Sequence, residues 1–168
     1  PREIEYSADF IFSNVTKDWD LLGNSPYEVA VQFYNFFQKR VKVFPDTLEI
    51  LPYLKKKGYK IGILTDLPTG MLQEHIIEDI QLFKNYIDYL LTSIDVGFRK
   101  PNIRGLEMMT EKFKINKKQM IFIGDEEKDI NTGNNIGSIS VFINRKSKVC
   151  SFNEDIQIRN LLEIKNFV

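Results

Sequence analysis

The stretch "MIFIGDEEKDI", residues 120–130, decides how this chain folds. A short apolar run leads into Gly124, Asp125 follows directly, and Asp129 comes four positions later. Such a run is typical of a buried strand, and the polar residues after it can open a helix. Crowded carboxylates cost free energy unless a cation or a set of hydrogen-bond donors compensates them. The stretch therefore predicts a buried strand that ends at an acidic cluster in need of compensation.

The chain around this stretch alternates between strand and helix patterns from residue 44 onward. Short strands that are apolar throughout and alternate with helices indicate a parallel sheet covered on both faces, an α/β fold. In such sheets the chemistry lies at the carboxyl ends of the strands. The predicted strands cover residues 59–64, 86–92, 120–124 and 138–144, and the predicted helices cover residues 45–58, 71–83 and 103–113.

The first 43 residues have a different pattern. "PYEVAVQFYNFFQKRV" predicts a helix with one apolar face that contains Val29, Phe33, Phe36 and Phe37. Its aromatic residues, Tyr34 among them, could line a substrate pocket, although packing against a core is the commoner role of such a stripe. The earlier segment "DFIF" fits a strand or a helix equally well.

Composition excludes several classes of protein. The 168 residues contain 23 Lys and Arg and 23 Asp and Glu, so the charge balance favours neither nucleic acid nor a membrane surface. Cys150 is the only cysteine, so no internal disulfide can form and a cytoplasmic location is expected. No apolar run reaches transmembrane length.

Three motifs occur in a fixed order along the chain: "GYKIGILTD" ends in Thr65 and Asp66, "VGFRKPN" contains Lys100, and "FIGDEEKDI" contains the acidic pair. Together they resemble the haloacid dehalogenase (HAD) superfamily, and in particular its phosphoglycolate phosphatase and pyrimidine 5′-nucleotidase-like branch. The resemblance covers roughly residues 44–145. It implies a Rossmann-like parallel sheet with helices on both faces in residues 44–168. It also implies that residues 1–43 are the end of a helical cap, or else a degenerate first strand followed by a helix.

The residue types suit phosphoryl transfer, which places negative charge on non-bridging oxygens. The Thr65 hydroxyl can donate to one oxygen, Asp66 lies beside it, and Lys100 can pair with the charge, so these residues are the expected catalytic and phosphate-binding group. Asp125 and Asp129 are the expected ligands of Mg²⁺, because this hard cation takes oxygen ligands. The simpler alternative is that Asp125 only caps the following helix.

The resemblance implies hydrolysis of a small phosphorylated metabolite through an aspartyl-phosphate, yet the family's first motif, Asp-x-Asp-Gly-Thr, is missing. In "DFIFSNV" the two acidic positions are Ser13 and Val15. Three explanations stand: the motif precedes residue 1, it is degenerate and the protein is inactive, or Asp18 and Asp20 replace it. The competing function is a non-catalytic module that binds metal and phosphate but lacks a nucleophile.

Overall fold

The computed structural model describes residues 3–38, 41–147 and 149–168, except that the side chains of residues 37 and 38 are not described. The chain forms short helices and strands that alternate from α3 onward. The helices are α1 (Ala8–Val15), α2 (Pro26–Gln38), α3 (Pro45–Lys56), α4 (Glu74–Asp79), α5 (Ser93–Val96), α6 (Arg104–Phe113) and α7 (Glu127–Ile136). The strands are β1 (Gly62–Thr65), β2 (Tyr89–Thr92), β3 (Ile121–Gly124), β4 (Ile139–Ile143) and β5 (Ile156–Ile158).

Every strand pairing is parallel, which confirms the predicted fold class. β1 pairs with β2, and β3, β4 and β5 form a second sheet in that order. The register places Thr65 opposite Thr92 and Gly124 opposite Phe142, so the strands of each sheet end together. Lys100 contacts both the Leu64 carbonyl of β1 and Asp129 after β3, so the carboxyl ends of β1 and β3 lie close together.

Helices cover both faces of the sheets, and each face has its own apolar core. On one face Leu64, Leu91 and Phe122, from three different strands, pack with α6 around the buried Leu106 and Met109. On the other face Leu54 of α3 packs with the odd-numbered β3 residues Ile121 and Ile123. This second core also contains the buried residues Val141, Ile143, Ile158 and Ile164. The alternation of β3 side chains between two cores is the pattern expected of a strand buried on both faces.

The two sheets leave a gap between β1 and β3. Within the described residues β1 pairs only with β2, and the paired neighbour of β3 is β4, so each has one unpaired edge. Lys100 reaches from the Leu64 carbonyl of β1 to Asp129 after β3, so β1 and β3 lie on the two sides of this gap. Unpaired edges inside an apolar core are unfavourable for a soluble protein.

The segment "DFIF" does not fill this gap, because it lies in helix α1. The Ser7 side chain caps α1 by accepting from the Phe10 amide, which favours the helix over a strand. α1 packs against α2 as a helical hairpin. The strand interpretation of "DFIF" is therefore wrong.

The predicted apolar face of α2 is also wrong. Of the described side chains of this helix, those of Ala30 and Tyr34 are buried, whereas Phe33 and Phe36 are 49 % and 61 % exposed. The Tyr34 hydroxyl donates to the Thr69 carbonyl at 2.6 Å, and this bond turns Tyr34 toward the core. The Phe37 side chain lies outside the described residues.

Several element boundaries differ from the predictions. The predicted strand 59–64 is Gly62–Thr65, and the predicted strand 86–92 is shortened to Tyr89–Thr92 because residues 84–86 form a turn of 3-10 helix before β2. The predicted helix 71–83 is reduced to Glu74–Asp79. β5, with three residues, carries too short a pattern to be predicted. Within the described residues, no helix combines the length and apolarity that a bilayer crossing requires.

Candidate active site

Asp66, directly after β1, anchors one side of the candidate site. Its side chain is almost fully buried. The Lys100 backbone N–H donates to Asp66 Oδ1 at 3.2 Å, and Lys128 Nζ lies 3.1 Å from Asp66 Oδ2. Asp66 therefore binds the Lys100 loop rather than facing outward. Thr65 beside it is half-buried, and its hydroxyl has no hydrogen-bond partner in the described part of the chain.

Lys100 lies in the loop between α5 and α6. Its ammonium is 2.7 Å from Asp129 Oδ1 and donates to the Leu64 carbonyl at 3.5 Å. The side chain is only 10 % exposed, so solvent screens its charge weakly. The loop thus carries a buried cation to the carboxyl end of β1, where an anionic group would meet it.

Asp129 organises the start of α7. Its Oδ2 accepts from the backbone N–H groups of Asp125 and Glu126, at 3.1 and 3.0 Å. A Cβ on Gly124 would lie 2.1 Å from Asp129 Cβ, so this close approach requires glycine. The Asp129 carboxylate therefore satisfies the two amides that immediately precede α7. The alternative that Asp125 caps the helix is wrong, because the capping position is Glu126.

Asp125 is exposed at the mouth of the site. Among the described residues its carboxylate has no hydrogen bond or ion pair. Lys100 and Lys128 pair with three carboxylates, those of Asp66, Glu126 and Asp129, and Asp125 adds a fourth, so the cluster keeps an excess of negative charge. This excess is the condition under which a divalent cation stabilises an acidic cluster.

These residues fit the usual coordination of Mg²⁺ in proteins. The cation commonly binds one or two carboxylates and completes its coordination with waters and substrate phosphate oxygens. Asp125 offers the uncommitted carboxylate. Asp129 is already engaged with Lys100 and two backbone amides. The described residues contain no group of three or more His, Cys, Asp or Glu side chains that would form a protein-only cage. The two predicted metal ligands thus have different roles. Asp125 has no partner among the described residues, whereas Asp129 holds Lys100 and the backbone before α7 in position.

Lys128 was not expected in the site from the sequence. Its ammonium lies 2.8 Å from Glu126 Oε2 as well as 3.1 Å from Asp66 Oδ2. Burial lowers the pKa of Lys128, but its hydrogen bonds to Glu126 and Asp66 and their charges outweigh that effect and raise the pKa above its usual value. Lys128 therefore stays charged and links the ends of β1 and β3. The only sequence signal for it was a lysine embedded in an acidic run.

A buried network behind Lys100 was missed as well. Glu5 forms an ion pair with Arg99 and accepts a hydrogen bond from the Ser93 hydroxyl at 2.6 Å. Arg99 also donates to the Leu67 carbonyl, and Ile4 forms a β-bridge with Phe98. The amino-terminal segment thus holds the residues next to Lys100. No sequence pattern indicates this network, because Glu5 lies 88 and 94 positions from its partners.

The three sequence motifs therefore meet at one site. They contribute, in chain order, the end of β1, the buried Lys100 and the acidic residues at the start of α7. The model of one family, described as haloacid dehalogenase-like hydrolase, matches residues 9–143 of this chain. The chain belongs to the haloacid dehalogenase-like hydrolase family.

Curated relatives of this HAD-like chain are named as phosphatases. It is 28 % identical over 115 residues to glyceraldehyde 3-phosphate phosphatase of Methanothermobacter thermautotrophicus, a match that covers 68 % of this chain and 50 % of the relative. It is 30 % identical over 99 residues to phosphoglycolate phosphatase of Escherichia coli K12, which covers 59 % of this chain and 38 % of the relative. The chain thus spans half or less of the length of these curated relatives.

Solved structures of HAD proteins share the fold. A HAD phosphatase from Thermococcus onnurineus superposes with a TM-score of 0.66 at 22 % identity, over 95 % of this chain and 86 % of that one. A putative beta-phosphoglucomutase from Thermotoga maritima superposes with a TM-score of 0.73 at 16 % identity, over 93 % of this chain and 75 % of that one. At these identities the likeness concerns the fold alone.

The structure brings together the predicted site residues of the HAD-like chain: Thr65, Asp66, Lys100, Asp125 and Asp129. It does not bring Asp18 and Asp20 to a comparable position. These two residues lie in the exposed turn after α1, where Asp20 accepts from the Leu22 amide. The family's first motif follows a strand, whereas Asp18 and Asp20 follow helix α1. The interpretation of Asp18 and Asp20 as that motif is therefore wrong.

Proposed function

We propose that the protein is a Mg²⁺-dependent phosphatase that acts on a small phosphorylated metabolite in the cytoplasm, without a nucleic-acid or membrane partner. The observation that carries the proposal is the buried ammonium of Lys100, which contacts the Leu64 carbonyl and Asp129. Thr65 directly follows Leu64 at the end of β1. Family membership supports the reaction class, and the names of the curated relatives support a small phosphorylated substrate.

Each residue has a distinct task in this proposal. Thr65 donates its hydroxyl to a phosphate oxygen, and Lys100 offsets the charge that develops on the phosphoryl group. Asp66 holds the backbone of the Lys100 loop. Asp125 is the metal ligand, and Asp129 orients Asp125 through its backbone amide and Lys100 through its charge. The metal would neutralise phosphate oxygens as a Lewis acid.

The nucleophile must come from outside these residues. The HAD resemblance implies an aspartate that forms an aspartyl-phosphate, a chemistry open to carboxylates. The gap between β1 and β3 supports a further central strand whose carboxyl end would lie between Thr65 and Asp125. With such a strand, residues 1–43 are the end of a helical cap and residues 44–168 the core. We propose this division from the helical hairpin of α1 and α2.

The test is a hydrolysis screen of the gene product against small phosphorylated metabolites, with and without Mg²⁺. We expect phosphate release that depends on Mg²⁺ and is lost in Lys100→Ala. Release that is unchanged in Lys100→Ala and by chelation would contradict the proposal. A Lys114→Ala variant is the control, because this lysine lies at the end of α6 in a left-handed turn, away from the site.

A non-catalytic module that binds metal and phosphate is the second candidate. The observation in its favour is that Asp18 and Asp20, the only Asp-x-Asp pair of the chain, lie in an exposed turn. Binding of inorganic phosphate with Mg²⁺, together with no hydrolysis by the gene product of any substrate in the screen, would select this candidate.

A further inference from the structure

The segment before α1 lies against the loop that carries Lys100. We call residues 3–5 of this segment the amino-terminal strap. Ile4 forms an antiparallel β-bridge with Phe98. Two backbone hydrogen bonds flank this bridge: the Arg99 amide donates to the Glu3 carbonyl at 2.7 Å, and the Glu5 amide donates to the Gly97 carbonyl at 3.0 Å. The strap therefore pairs with the three residues directly before Lys100.

The Glu5 side chain fixes the strap in the interior. It is 3 % exposed and forms an ion pair with Arg99. It also accepts from the Ser93 hydroxyl at 2.6 Å, and that hydroxyl accepts in turn from the Leu67 amide at 3.0 Å. Arg99 donates to the Leu67 carbonyl at 2.8 Å. One carboxylate thus joins the strap to the start of α5 and to the loop after β1.

Lys100 is consequently held from two directions. Its own backbone N–H donates to Asp66 at 3.2 Å, and Arg99, the residue before it, is bound by Glu5. A buried charge that loses its partner is costly, so the Glu5 carboxylate keeps the Arg99 guanidinium in place. Because a displacement of about 1 Å can remove much of the effect of a binding group, the place of the Lys100 ammonium depends on this pair.

We propose that Glu5 is a positioning residue for the anion site, and that docking of the amino-terminal strap and anion binding at Lys100 are coupled. Glu5 acts through Arg99 and not by contact with the anion. The inference rests on the proposed function, since Lys100 must be the cation that meets the phosphoryl group. By linkage, a strap that favours anion binding is itself held more firmly once an anion is bound.

The field of Glu5 alone predicts the opposite effect on anion affinity. Its carboxylate is a negative charge next to the loop of an anion-binding lysine, and its removal would strengthen anion binding if only the field mattered. A positioning role predicts weaker binding, because Arg99 loses its charged partner and the loop loses its fixed place. The sign of the change in anion affinity therefore distinguishes the two roles.

Calorimetry with inorganic phosphate and Mg²⁺ measures this sign. We expect Glu5→Gln, which keeps the shape of the side chain, to weaken phosphate binding by about fivefold or more, the usual size of such coupling. Binding of Mg²⁺ alone should be unchanged. Glu3→Gln is the matched control, because the Glu3 side chain is exposed and this residue contacts the loop through its backbone carbonyl. Phosphate affinity in the control should equal that of the native protein.

Hydrogen exchange of the native protein tests the coupling without a substitution. Saturating phosphate should slow exchange of the Glu5 and Arg99 amides, which bond across the strap, by about fivefold or more. The Ile115 amide is the internal reference, because it bonds to Thr110 at the end of α6 that leads into the start of β3. Its exchange should not change.

The outcomes separate this inference from the proposed function. If phosphate binds through Lys100 but Glu5→Gln binds it equally or more tightly, the inference is overturned and the proposed function stands. A Glu5→Gln variant that loses phosphate and Mg²⁺ binding alike has lost structure only, which also overturns the inference. If Glu5→Gln does not fold, unchanged exchange of the strap amides in the native protein overturns it. If the native protein binds no phosphate, the proposed function fails as well.

Discussion

Lys100 and Asp129 form a buried ion pair of 2.7 Å, with side chains only 10 % and 6 % exposed. The other oxygen of Asp129 accepts from two backbone amides at the start of α7. One carboxylate thus connects the loop between α5 and α6 to the helix after β3. Because a buried charge that loses its partner is costly, this pair should matter to stability as well as to chemistry.

Asp129→Asn removes the charge and keeps the shape of the side chain. We expect it to lower the free energy of unfolding by about 3 kcal/mol, since Lys100 would remain buried without its partner. Urea denaturation measures the loss. Asp18→Asn is the control, because Asp18 is 84 % exposed and lies 4.0 Å from Lys17. The control should change stability by under about 0.5 kcal/mol, and an equally small change in Asp129→Asn would contradict the assignment.

Asp125→Asn should weaken Mg²⁺ binding at least about tenfold. It removes the one uncommitted carboxylate from a site with few protein ligands. Calorimetry with Mg²⁺ measures the effect, and Glu127→Gln, which changes the exposed acid two positions later, is the control. Equal Mg²⁺ affinity in Asp125→Asn and the native protein would remove Asp125 from the metal site.

Lys100→Ala should have the complementary effect. Vanadate or phosphate binding should weaken strongly, because a point cation beside an anion site governs anion affinity first. Mg²⁺ binding should remain largely intact. Should Mg²⁺ affinity fall as far as vanadate affinity, the two roles would not be separable in this site.

A polypeptide of residues 1–168 alone should release little or no phosphate from a generic aryl phosphate with Mg²⁺. Thr65, Lys100 and Asp125 can bind phosphate and metal, but none of them is placed to attack phosphorus, and binding groups alone leave a small residual rate. Turnover that disappears in Asp18→Asn would restore the Asp18 and Asp20 pair as the first motif. Turnover at the same rate in Asp18→Asn would indicate a different nucleophile.

Hydrogen exchange of the same polypeptide should reveal the gap. β4 is paired on both sides, by β3 and β5, whereas β1 and β3 are each paired on one side only by the residues that the structure describes. We therefore expect the amides of residues 139–143 to exchange at least about tenfold more slowly than those of residues 62–65 and 121–124. Equal protection in all three strands would mean that the inner edges are covered, for example by a second copy of the chain.

Acid should weaken the attachment of α3 to the carboxyl-terminal region. Asp46 makes a two-point ion pair with Arg145, at 2.7 and 3.2 Å, and accepts from the Leu161 amide. Burial by itself raises the pKa of Asp46, but these donors and the Arg145 charge lower it below the usual value. The stabilisation is therefore present at neutral pH and is lost as the pH falls through the lowered pKa of the folded state.

Asp46→Asn should accordingly cost about 2 kcal/mol of unfolding free energy at pH 7. The difference between this variant and the native protein should stay constant down to about pH 4, the usual Asp pKa, and shrink below it. Denaturation curves at several pH values measure the trend. A difference that grows as the pH falls would show that Asp46 is not stabilised as a carboxylate.

Local patterns determined much of this protein. The apolar runs before Thr65 and Asp125 indicated strands, and their alternation with helices indicated a parallel sheet. The rule that chemistry lies at the carboxyl ends of parallel strands placed Thr65 and Asp125 at one edge, and the resemblance to the HAD superfamily added Lys100. These conclusions were accessible because strand and helix periods, and the turn residues between them, are written over a few neighbouring positions.

Tertiary structure alone decided the rest. "DFIF" satisfies both periods, and its Ser7 cap and its packing on α2 made it a helix. Tyr34 rather than Phe33 is buried, because its hydroxyl reaches Thr69 on a distant loop. Two ion pairs join residues far apart in the sequence: Glu5 and Arg99 are 94 positions apart, and Asp66 and Lys128 are 62 positions apart. The gap between β1 and β3 depends on which strands pair with each other. Such contacts depend on how the helices and strands pack against one another, and a local sequence pattern does not encode that packing.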